Sequence, residues 1–305
     1  MSFLNSLISG ISLGSIYAII ALGYTMVYGI AKMLNFAHGD VIMVGAYICF
    51  FATSRFGLPP LLGVLLAVIV CTVLGMTIEK LAYAPLRSAP SLAVLITAIG
   101  VSYFLQNAAL LLWTPNPKVF PNFFARTVLT PEGAVFEKTG VELFGGALRI
   151  SYVTLVTILV NVVIMIALTA FTGNTKMGKA MRACSEDKDA ARLMGISVNT
   201  TISVTFAIGS GLAAIAGVLF MSAYPNLVPT TGSMPGIKAF TAAVFGGIGS
   251  IPGAFLGGLL LGVIEIFAKT YISTQLSDAI VFAVLIIVLL VKPTGLLGRQ
   301  IREKV

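Results

Sequence analysis

Long apolar stretches separated by short polar segments make up most of the chain. In lipid, such stretches are expected to form helices, because backbone groups there must form hydrogen bonds within their own segment. About 20 apolar residues suffice for a helix to cross a bilayer, and the alternation typical of a membrane β-barrel is absent. The prediction is one all-α polytopic membrane domain over residues 1–305 with about eight transmembrane helices. These are expected near residues 6–30, 40–54, 60–79, 91–113, 150–172, 200–223, 251–272 and 277–291.

Lysine and arginine positions predict the orientation, since cytoplasmic connections carry an excess of both. The charged stretch 176–192, the connection around Lys80 and the basic tail 292–305 are expected to face the cytoplasm. The polar segment 114–149 is expected to be the largest external loop. No basic residue precedes Lys32, so the N-terminus is predicted to lie outside and the C-terminus in the cytoplasm.

A simple count of crossings conflicts with the predicted sides of the two termini, and the weakly apolar piece at residues 236–249 offers a solution. With the N-terminus outside, eight full spans would also place the basic tail outside. A short helix that enters from the outer side, breaks within the cluster Gly246–Gly253 and returns as 251–272 removes the conflict. Broken helices are tolerated where they are buried in protein or line a cavity. We therefore expect one short broken or re-entrant helix here.

Composition strengthens the membrane assignment and excludes several functions. Hydrophobic residues make up 58% of the chain and charged residues 10%, whereas about a quarter of a soluble domain is charged. The net charge of +8 does not indicate nucleic acid binding, because the basic residues lie between apolar stretches. Cys49, Cys71 and Cys184 are scattered and show no metal-ligand spacing.

Groups suited to catalysis are missing from the sequence. His38 is the only histidine, and the Gly178–Lys179 pair is followed by Ala180 without an upstream phosphate loop. One histidine near one carboxylate supplies too few ligands for a metal. We expect no enzymatic activity, no metal site and no cofactor bound by this chain itself.

Several polar residues nevertheless lie in or beside the apolar stretches. Unpaired polar groups at membrane depth cost several kcal/mol, so they should be paired or near water. Two interpretations are open: Asn35 or Asp40 caps the second helix, or these residues line a translocation path with His38. For Glu265 the alternatives are an ion pair with Lys269, one turn away, and a contact with a substrate ammonium group. The candidates for the path are Asn35, His38, Asp40, Gly246, Gly247, Gly249 and Glu265.

Glu79 precedes Lys80 near a predicted membrane face. A solvated ion pair between these neighbours is the simplest interpretation.

The charged stretch 175–196 differs most from its surroundings. It combines both signs of charge with several alanines, and its main apolar residues are Met181, Ala190, Leu193 and Met194. An ordinary solvated loop would not need this length. An amphipathic helix within 173–199 is suited to docking into a groove on a soluble partner, although a plain loop remains the alternative.

Several long motifs, taken together, resemble one family. They read "LGSIYAIIALGYTMVYGI" followed by "LNFAHGDVIMVGAY", then "MGKAMRACSEDKDAARLMGI", "KAFTAAVFGGIGSIPGAFLGGLLLGVIE" and "VLLVKPTGLLGR". In this order they resemble the inner-membrane permease subunits of bacterial ATP-binding-cassette importers for branched-chain amino acids. The resemblance covers nearly the whole chain and is vaguest over 114–149.

The resemblance implies a fold similar to the type II importers and import of leucine, isoleucine or valine by alternating access. It implies a second permease subunit, a paralogue, together with cytoplasmic ATPase subunits that bind ATP and Mg²⁺ and a periplasmic solute-binding protein. It also implies that the charged stretch is a coupling segment that sits in a cleft on the ATPase. The residues that carry this role by resemblance are Gly178, Arg182, Ala183, Glu186, Asp187, Ala191 and Gly195.

Two alternatives remain open at this point. Related permeases import urea, short amides or other amino acids, and the motifs do not separate these substrates. An ion-coupled secondary transporter would need intramembrane ionisable residues as relays. Only His38, Asp40 and Glu265 are available for that purpose, with Asp278 at the edge of a span.

Overall fold

The computed structural model describes residues 2–87, 89–121, 123, 125–130, 133–138, 140–143 and 148–298. Helices make up most of this part of the chain. They are α1 Ser2–Ala31, α2 His38–Ser54, α3 Pro60–Ile78, α4 Ser91–Trp113, α5 Tyr152–Asn174, α6 Lys176–Glu186, α7 Lys188–Leu193, α8 Val198–Ala223, α9 Ser233–Gly246, α10 Ile251–Tyr271 and α11 Ser277–Val291. A π-helical turn, Glu79–Tyr83, extends α3.

Each of the eight predicted apolar stretches forms a helix. Six helices of the described chain are long and apolar enough to cross a membrane, namely α1, α3 with its extension, α4, α5, α8 and α10. The other two, α2 and α11, have 17 and 15 residues. At 1.5 Å per residue they are shorter than the ~30 Å thickness of the hydrocarbon core. Length and composition thus identify six crossings among the described residues, and the predicted count of eight is not confirmed.

The centre of the bundle is formed by α1 and α8. In each of them 72% of the most apolar window is buried, against 17–28% in α3, α4 and α5. The outer helices expose large apolar side chains such as Leu61 and Leu111, which are 80% and 86% exposed. A helix that is apolar all round is stable in such positions only if lipid or another subunit covers it.

Glycines allow α1 and α10 to touch backbone to backbone. A methyl group on Gly14 would lie 2.6 Å from the carbonyl oxygen of Leu259, and one on Gly258 would lie 2.4 Å from Cα of Ala18. On Gly262 it would lie 2.2 Å from Cα of Gly14. Gly14 and Ala18 on α1, and Gly258 and Gly262 on α10, are each four residues apart, and these small residues form the contact itself, as in other membrane helix pairs.

The predicted interruption between residues 236 and 255 is present. Helix α9 ends at Gly246, and Gly247 and Gly249 adopt φ values of 107° and 92°, which only glycine tolerates well. Ser250 caps the start of α10 by accepting from the amide of Gly253 at 3.2 Å. Helices α9 and α10 therefore form a tight hairpin rather than one span.

Residues 295–298 pack against this hairpin turn. The amides of Leu296 and Leu297 donate to the carbonyls of Phe245 and Gly246, both at 2.9 Å. These bonds satisfy carbonyls that the end of α9 would otherwise leave free. The rest of the predicted basic tail 292–305, from residue 299 onward, lies outside the described residues.

Short antiparallel strand pairs occur near the predicted external loop, so the all-α prediction omits an element there. Strand β1 (Lys118–Val119) pairs with β6 (Asn226–Leu227), β2 (Ala125–Thr130) with β3 (Gly133–Lys138), and β4 (Gly140–Leu143) with β5 (Leu148–Ser151). Residues 122, 124, 131–132, 139 and 144–147 of the segment 114–149 lie outside the described residues.

The C-terminal ends of α1, α3 and α5 meet at one end of the bundle. Lys32, Lys80, Arg87 and Lys188 are all at this end, which we call the basic end. The connections 55–59 and 224–231 lie at the opposite end, together with the end of α4 at Trp113 and the start of α5 at Tyr152.

Candidate functional site

The charged stretch, residues 175–196, leaves the bundle through a sharp turn at the basic end. Thr175 separates α5 from α6, and its Oγ1 accepts from the amide of Gly178 at 2.9 Å. A side chain on Gly178 would meet the carbonyl oxygen of Phe171 at 2.3 Å and Cα of Thr172 at 2.5 Å. Gly178 is therefore required for α6 to fold back against α5, and it faces the bundle rather than a partner.

The stretch forms two helices instead of the single one predicted. Asp187 has extended backbone angles, and its side chain accepts from the amides of Asp189 and Ala190 at 2.8 and 3.0 Å. This N-cap ends α6 and starts α7, because a short carboxylate competes effectively for free amides at a helix start. Glu186, next to the break, is exposed.

One face of this α6–α7 segment is anchored on the bundle. Met181, Cys184 and Ala191 are 1%, 1% and 4% exposed. Lys188 donates from Nζ to the carbonyl of Ala31 at 2.7 Å, which ties α7 to the end of α1. Partial burial, together with the nearby charges of Arg87 and other basic groups, lowers the pKa of Lys188.

The other face projects into solvent with two apolar side chains at its end. Leu193 and Met194 are 89% and 82% exposed, whereas Met181, placed with them in the sequence analysis, is buried. Gly195, with φ 80°, reverses the chain directly behind them. An exposed apolar pair flanked by charged residues, such as the Arg192–Asp189 ion pair, is typical of a protein contact.

The seven coupling candidates thus divide between the two faces. Gly178 and Ala191 are buried and Ala183 is half-buried, so these three pack against the bundle. Four are exposed: Arg182, Glu186, Asp187 and Gly195.

Glu79 does not form the predicted solvated pair with Lys80. It is 1% exposed, forms an ion pair with Arg87 and accepts from Ser203 Oγ at 2.6 Å. The π-helical turn that begins at Glu79 explains the difference, because it turns this carboxylate toward α8 and leaves Lys80 exposed.

Removing the partner of this buried carboxylate should destabilise the basic end. We expect Arg87→Met to lower the free energy of unfolding by about 2 kcal/mol, since Glu79 would keep only a hydroxyl partner. The measurement is thermal unfolding in lipid nanodiscs, with Lys80→Met as a control that removes an exposed charge next to Glu79. Equal melting temperatures of the two variants would show that the buried pair contributes nothing.

The polar group before α2 is buried and paired. Asn35 and Asp40 are 4% and 2% exposed; Asn35 Oδ1 accepts from the Tyr83 hydroxyl, and Asp40 Oδ1 accepts from Gln106 Nε2, both at 2.9 Å. Neither caps α2, whose N-cap Ala37 offers no side-chain bond, so the capping interpretation is wrong. Their side-chain partners are instead on the π-helical turn after α3 and on α4.

His38 is 1% exposed and packs 4.6 Å from the ring of Tyr24. The ring occupies the space that a side chain on Gly23 would need, and its Nε2 has no hydrogen-bond partner among the described residues. His38 therefore fills the interface between α1 and α2.

The structure brings the candidates for the path only partly together: Asn35 and the turn residue Ile248 line one small cavity, whereas Glu265 lies elsewhere. Asn35, His38 and Asp40 lie where α2 begins, and Gly246, Gly247 and Gly249 form the α9–α10 turn, where Gly249 approaches Gly29. Glu265 lies on α10, away from the turn.

Glu265 is the centre of a buried ion cluster. Its Oε1 accepts from Lys238 Nζ at 2.8 Å and from Lys269 Nζ at 2.5 Å, and its Oε2 accepts from the Tyr17 hydroxyl at 2.9 Å. Lys238 also pairs with Asp278 at 2.6 Å. The predicted pairing of Glu265 with Lys269 is confirmed. Sequence reasoning missed the other three members, although a lysine within the apolar piece 236–249 was an available signal.

A cleft of about 330 Å³ lies against this cluster. It is bounded by α1, α9, α10 and the connection after α8, on the side away from the basic end. Its polar wall includes Tyr17, Lys238, Glu265 and Lys269, and its apolar wall includes Phe220 and Met234.

Known proteins resemble this chain over nearly its full length. Residues 6–289 match the family described as "Branched-chain amino acid transport system / permease component". The chain is 45% identical to the high-affinity branched-chain amino acid transport system permease protein BraD of Pseudomonas aeruginosa, covering 99% of this chain and 98% of the relative. It is 42% identical to LivH, a permease protein of the same description from Escherichia coli, with the same coverage. A solved chain titled PsaBC from Streptococcus pneumoniae in complex with Fab aligns with a TM-score of 0.47 at 14% identity, covering 96% of this chain and 93% of the other.

Proposed function

Since the chain belongs to the family of branched-chain amino acid transport permeases, we propose that it is the translocating subunit of an ATP-driven importer of leucine, isoleucine and valine. The permease role follows from the family and from the bundle of apolar helices. The choice of substrates rests on the names of full-length relatives at 42–45% identity. No observation favours urea, amides or an ion-coupled mechanism.

The exposed face of the α6–α7 segment is the observation that carries the coupling part of the proposal. Leu193 and Met194 project from the basic end, which we place outside the hydrocarbon layer. A soluble protein is therefore the expected binding partner of these two side chains. We assign this contact to cytoplasmic ATPase subunits, which bind ATP and Mg²⁺. A periplasmic solute-binding protein delivers the substrate, and a second, paralogous permease completes the translocating pair.

The α6–α7 segment is attached firmly enough to the bundle to transmit a displacement to other helices. It joins α5 through the tight turn at Gly178 and holds α1 through the bond from Lys188 to Ala31. Helix α1 in turn contacts α10 backbone to backbone at Gly14 and Gly262. Displacement of the segment by a closing ATPase pair would therefore move three helices together, which is the requirement of alternating access.

The proposed topology in the inner membrane has eight transmembrane helices, with α2 and α11 as short ones, and the re-entrant helix α9 pairs with α10 so that this hairpin enters and leaves on the outer side. Residues 32–37 before α2 and 292–298 after α11 extend these two helices toward the basic end. The excess of lysine and arginine places the basic end in the cytoplasm, with the N-terminus outside. The fold proposed for the assembled pair is that of the type II importers.

Reconstituted transport tests the function directly. In proteoliposomes that hold the full complex and its binding protein, radiolabelled leucine uptake should require ATP and Mg²⁺. Excess isoleucine and valine should suppress this uptake, whereas urea and short amides should not. Ionophores that collapse ion gradients should leave it unchanged. Gradient-driven uptake by this chain alone would contradict the proposal.

A further inference from the structure

The Glu265 cluster has unused hydrogen-bonding capacity on the wall of the cleft. An ammonium group has three donors, and among the described residues Lys238 uses two and Lys269 uses one. Glu265 accepts three hydrogen bonds of the roughly four that a carboxylate can take. One donor of Lys238, two donors of Lys269 and one acceptor position of Glu265 are therefore unused. All three of these residues line the cleft.

We propose that this cleft binds one free α-amino acid as a zwitterion, a step that rests on the proposed function and places its substrate inside this chain. The α-carboxylate accepts from Lys269 and from the remaining donor of Lys238. The α-ammonium donates to Glu265 Oε2. The aliphatic side chain lies against the apolar wall of the cleft.

Charge balance selects a zwitterion over a simple ion. The cluster contains two lysines and two carboxylates, Lys238, Lys269, Glu265 and Asp278, and is formally neutral. Glu265 and Lys238 are 1% and 6% exposed, so an added net charge would be poorly solvated there. A zwitterion supplies both signs of charge together and leaves the site neutral.

The rest of the cleft fits the side chain of such a ligand. Its apolar wall consists of Leu13, Phe220, Met221, Val228 and Met234. Flexible methionines adapt to different branched aliphatic shapes. The volume of about 330 Å³ is at the lower limit of ligand pockets, which suits a single amino acid better than a peptide or an oligosaccharide.

Binding of an amino acid in this cleft is expected to be weak. Both lysines already pair with Glu265, so the ligand must compete with internal ion pairs for them. A transporter needs this property, since a substrate that binds tightly at an intermediate position leaves slowly.

Protection of an introduced cysteine tests the site directly. Met234 lines the cleft and is 44% exposed, while the native Cys49, Cys71 and Cys184 are buried and give a low background. The assembled complex carrying Met234→Cys, in lipid nanodiscs without binding protein, is treated with a thiol reagent at increasing leucine concentrations. At about ten times the dissociation constant, leucine should slow labelling about tenfold, because only empty clefts react.

Ligand analogues and a control position make the result specific. Isocaproate lacks the ammonium group and leucinamide lacks the carboxylate, so neither should protect at concentrations where leucine does. Phe56→Cys, between α2 and α3 and 73% exposed, should label at the same rate with or without leucine. Equal protection by both analogues, or none by leucine at concentrations up to its solubility, would overturn the proposal.

A variant of the cluster supplies the second test. Lys269 is 33% exposed, so Lys269→Gln should leave the Lys238–Glu265 pair and the fold in place. In the Met234→Cys background it should abolish leucine protection without changing the labelling rate in leucine-free buffer, and Lys269→Arg should restore protection. Undiminished protection in Lys269→Gln would refute the assignment.

The outcome can be separated from that of the transport experiment. ATP-dependent leucine uptake without protection of Met234→Cys would reject this site and leave the proposed function standing. Protection without uptake would leave the site standing and reject the function.

Discussion

Replacing Gly262 by valine is expected to prevent the folded protein from accumulating in the membrane. The first side-chain carbon would lie 2.2 Å from Cα of Gly14, so α1 and α10 would have to separate. Overpacking of a well-packed contact costs about 1–3 kcal/mol or more, and here the neighbour is backbone that cannot rotate away. Because α1 is the central helix, the change should also loosen its contacts with α8 and α9.

Fluorescence-detected size-exclusion chromatography measures this effect as the amount of monodisperse protein. We expect a fall of at least about tenfold, which corresponds to roughly 1.4 kcal/mol. The matched control is Gly100→Val on α4, where a side chain would meet nothing within 4 Å. A normal yield of the Gly262 variant would show that α1 and α10 do not pack as described.

Placing aspartates at Leu193 and Met194 is expected to abolish transport while leaving the subunit folded. These side chains are 89% and 82% exposed, so the bundle itself loses no packing. In the complex, however, two carboxylates would be buried without partners, at a cost of several kcal/mol. A loss of that size weakens ATPase binding by more than about a hundredfold.

Co-purification of the ATPase subunits and leucine uptake are measured together for this double variant. The control exchanges the two apolar residues, Leu193→Met with Met194→Leu, and should retain both activities because the surface stays apolar. The docking assignment fails if the aspartate variant still brings down the ATPase at wild-type stoichiometry. Comparable losses in the apolar exchange would instead indicate that precise side-chain shape decides the contact.

Local patterns were sufficient to predict the helices and the interrupted segment. The eight apolar stretches are long and uniform, and in lipid a helix is the conformation that satisfies their backbone hydrogen bonds within each stretch. The interruption near Gly247 was predictable because a glycine cluster inside an apolar run coincided with a conflict in the number of crossings. The small residues at four-residue spacing on α1 and α10 are visible in the sequence, but this spacing does not identify which helices meet.

Contacts between distant parts of the chain could not be predicted. Lys238 and Glu265 are on separate helices and meet only because α9 folds back on α10. Glu79 was assigned to its neighbour in sequence, yet a π-helical turn gives it Arg87 and Ser203 as partners. The division of the α6–α7 segment at Asp187 depends on an N-cap that a charge pattern does not distinguish from a solvated face.

The hairpin of α9 and α10 also constrains how the protein is made. Its turn obtains the amides of Leu296 and Leu297 only after the ribosome has synthesised both α10 and α11. Until then the last carbonyls of α9 need other partners, which the translocon or water must supply. The re-entrant element is therefore completed late in biogenesis, when Leu296 and Leu297 bond to the end of α9.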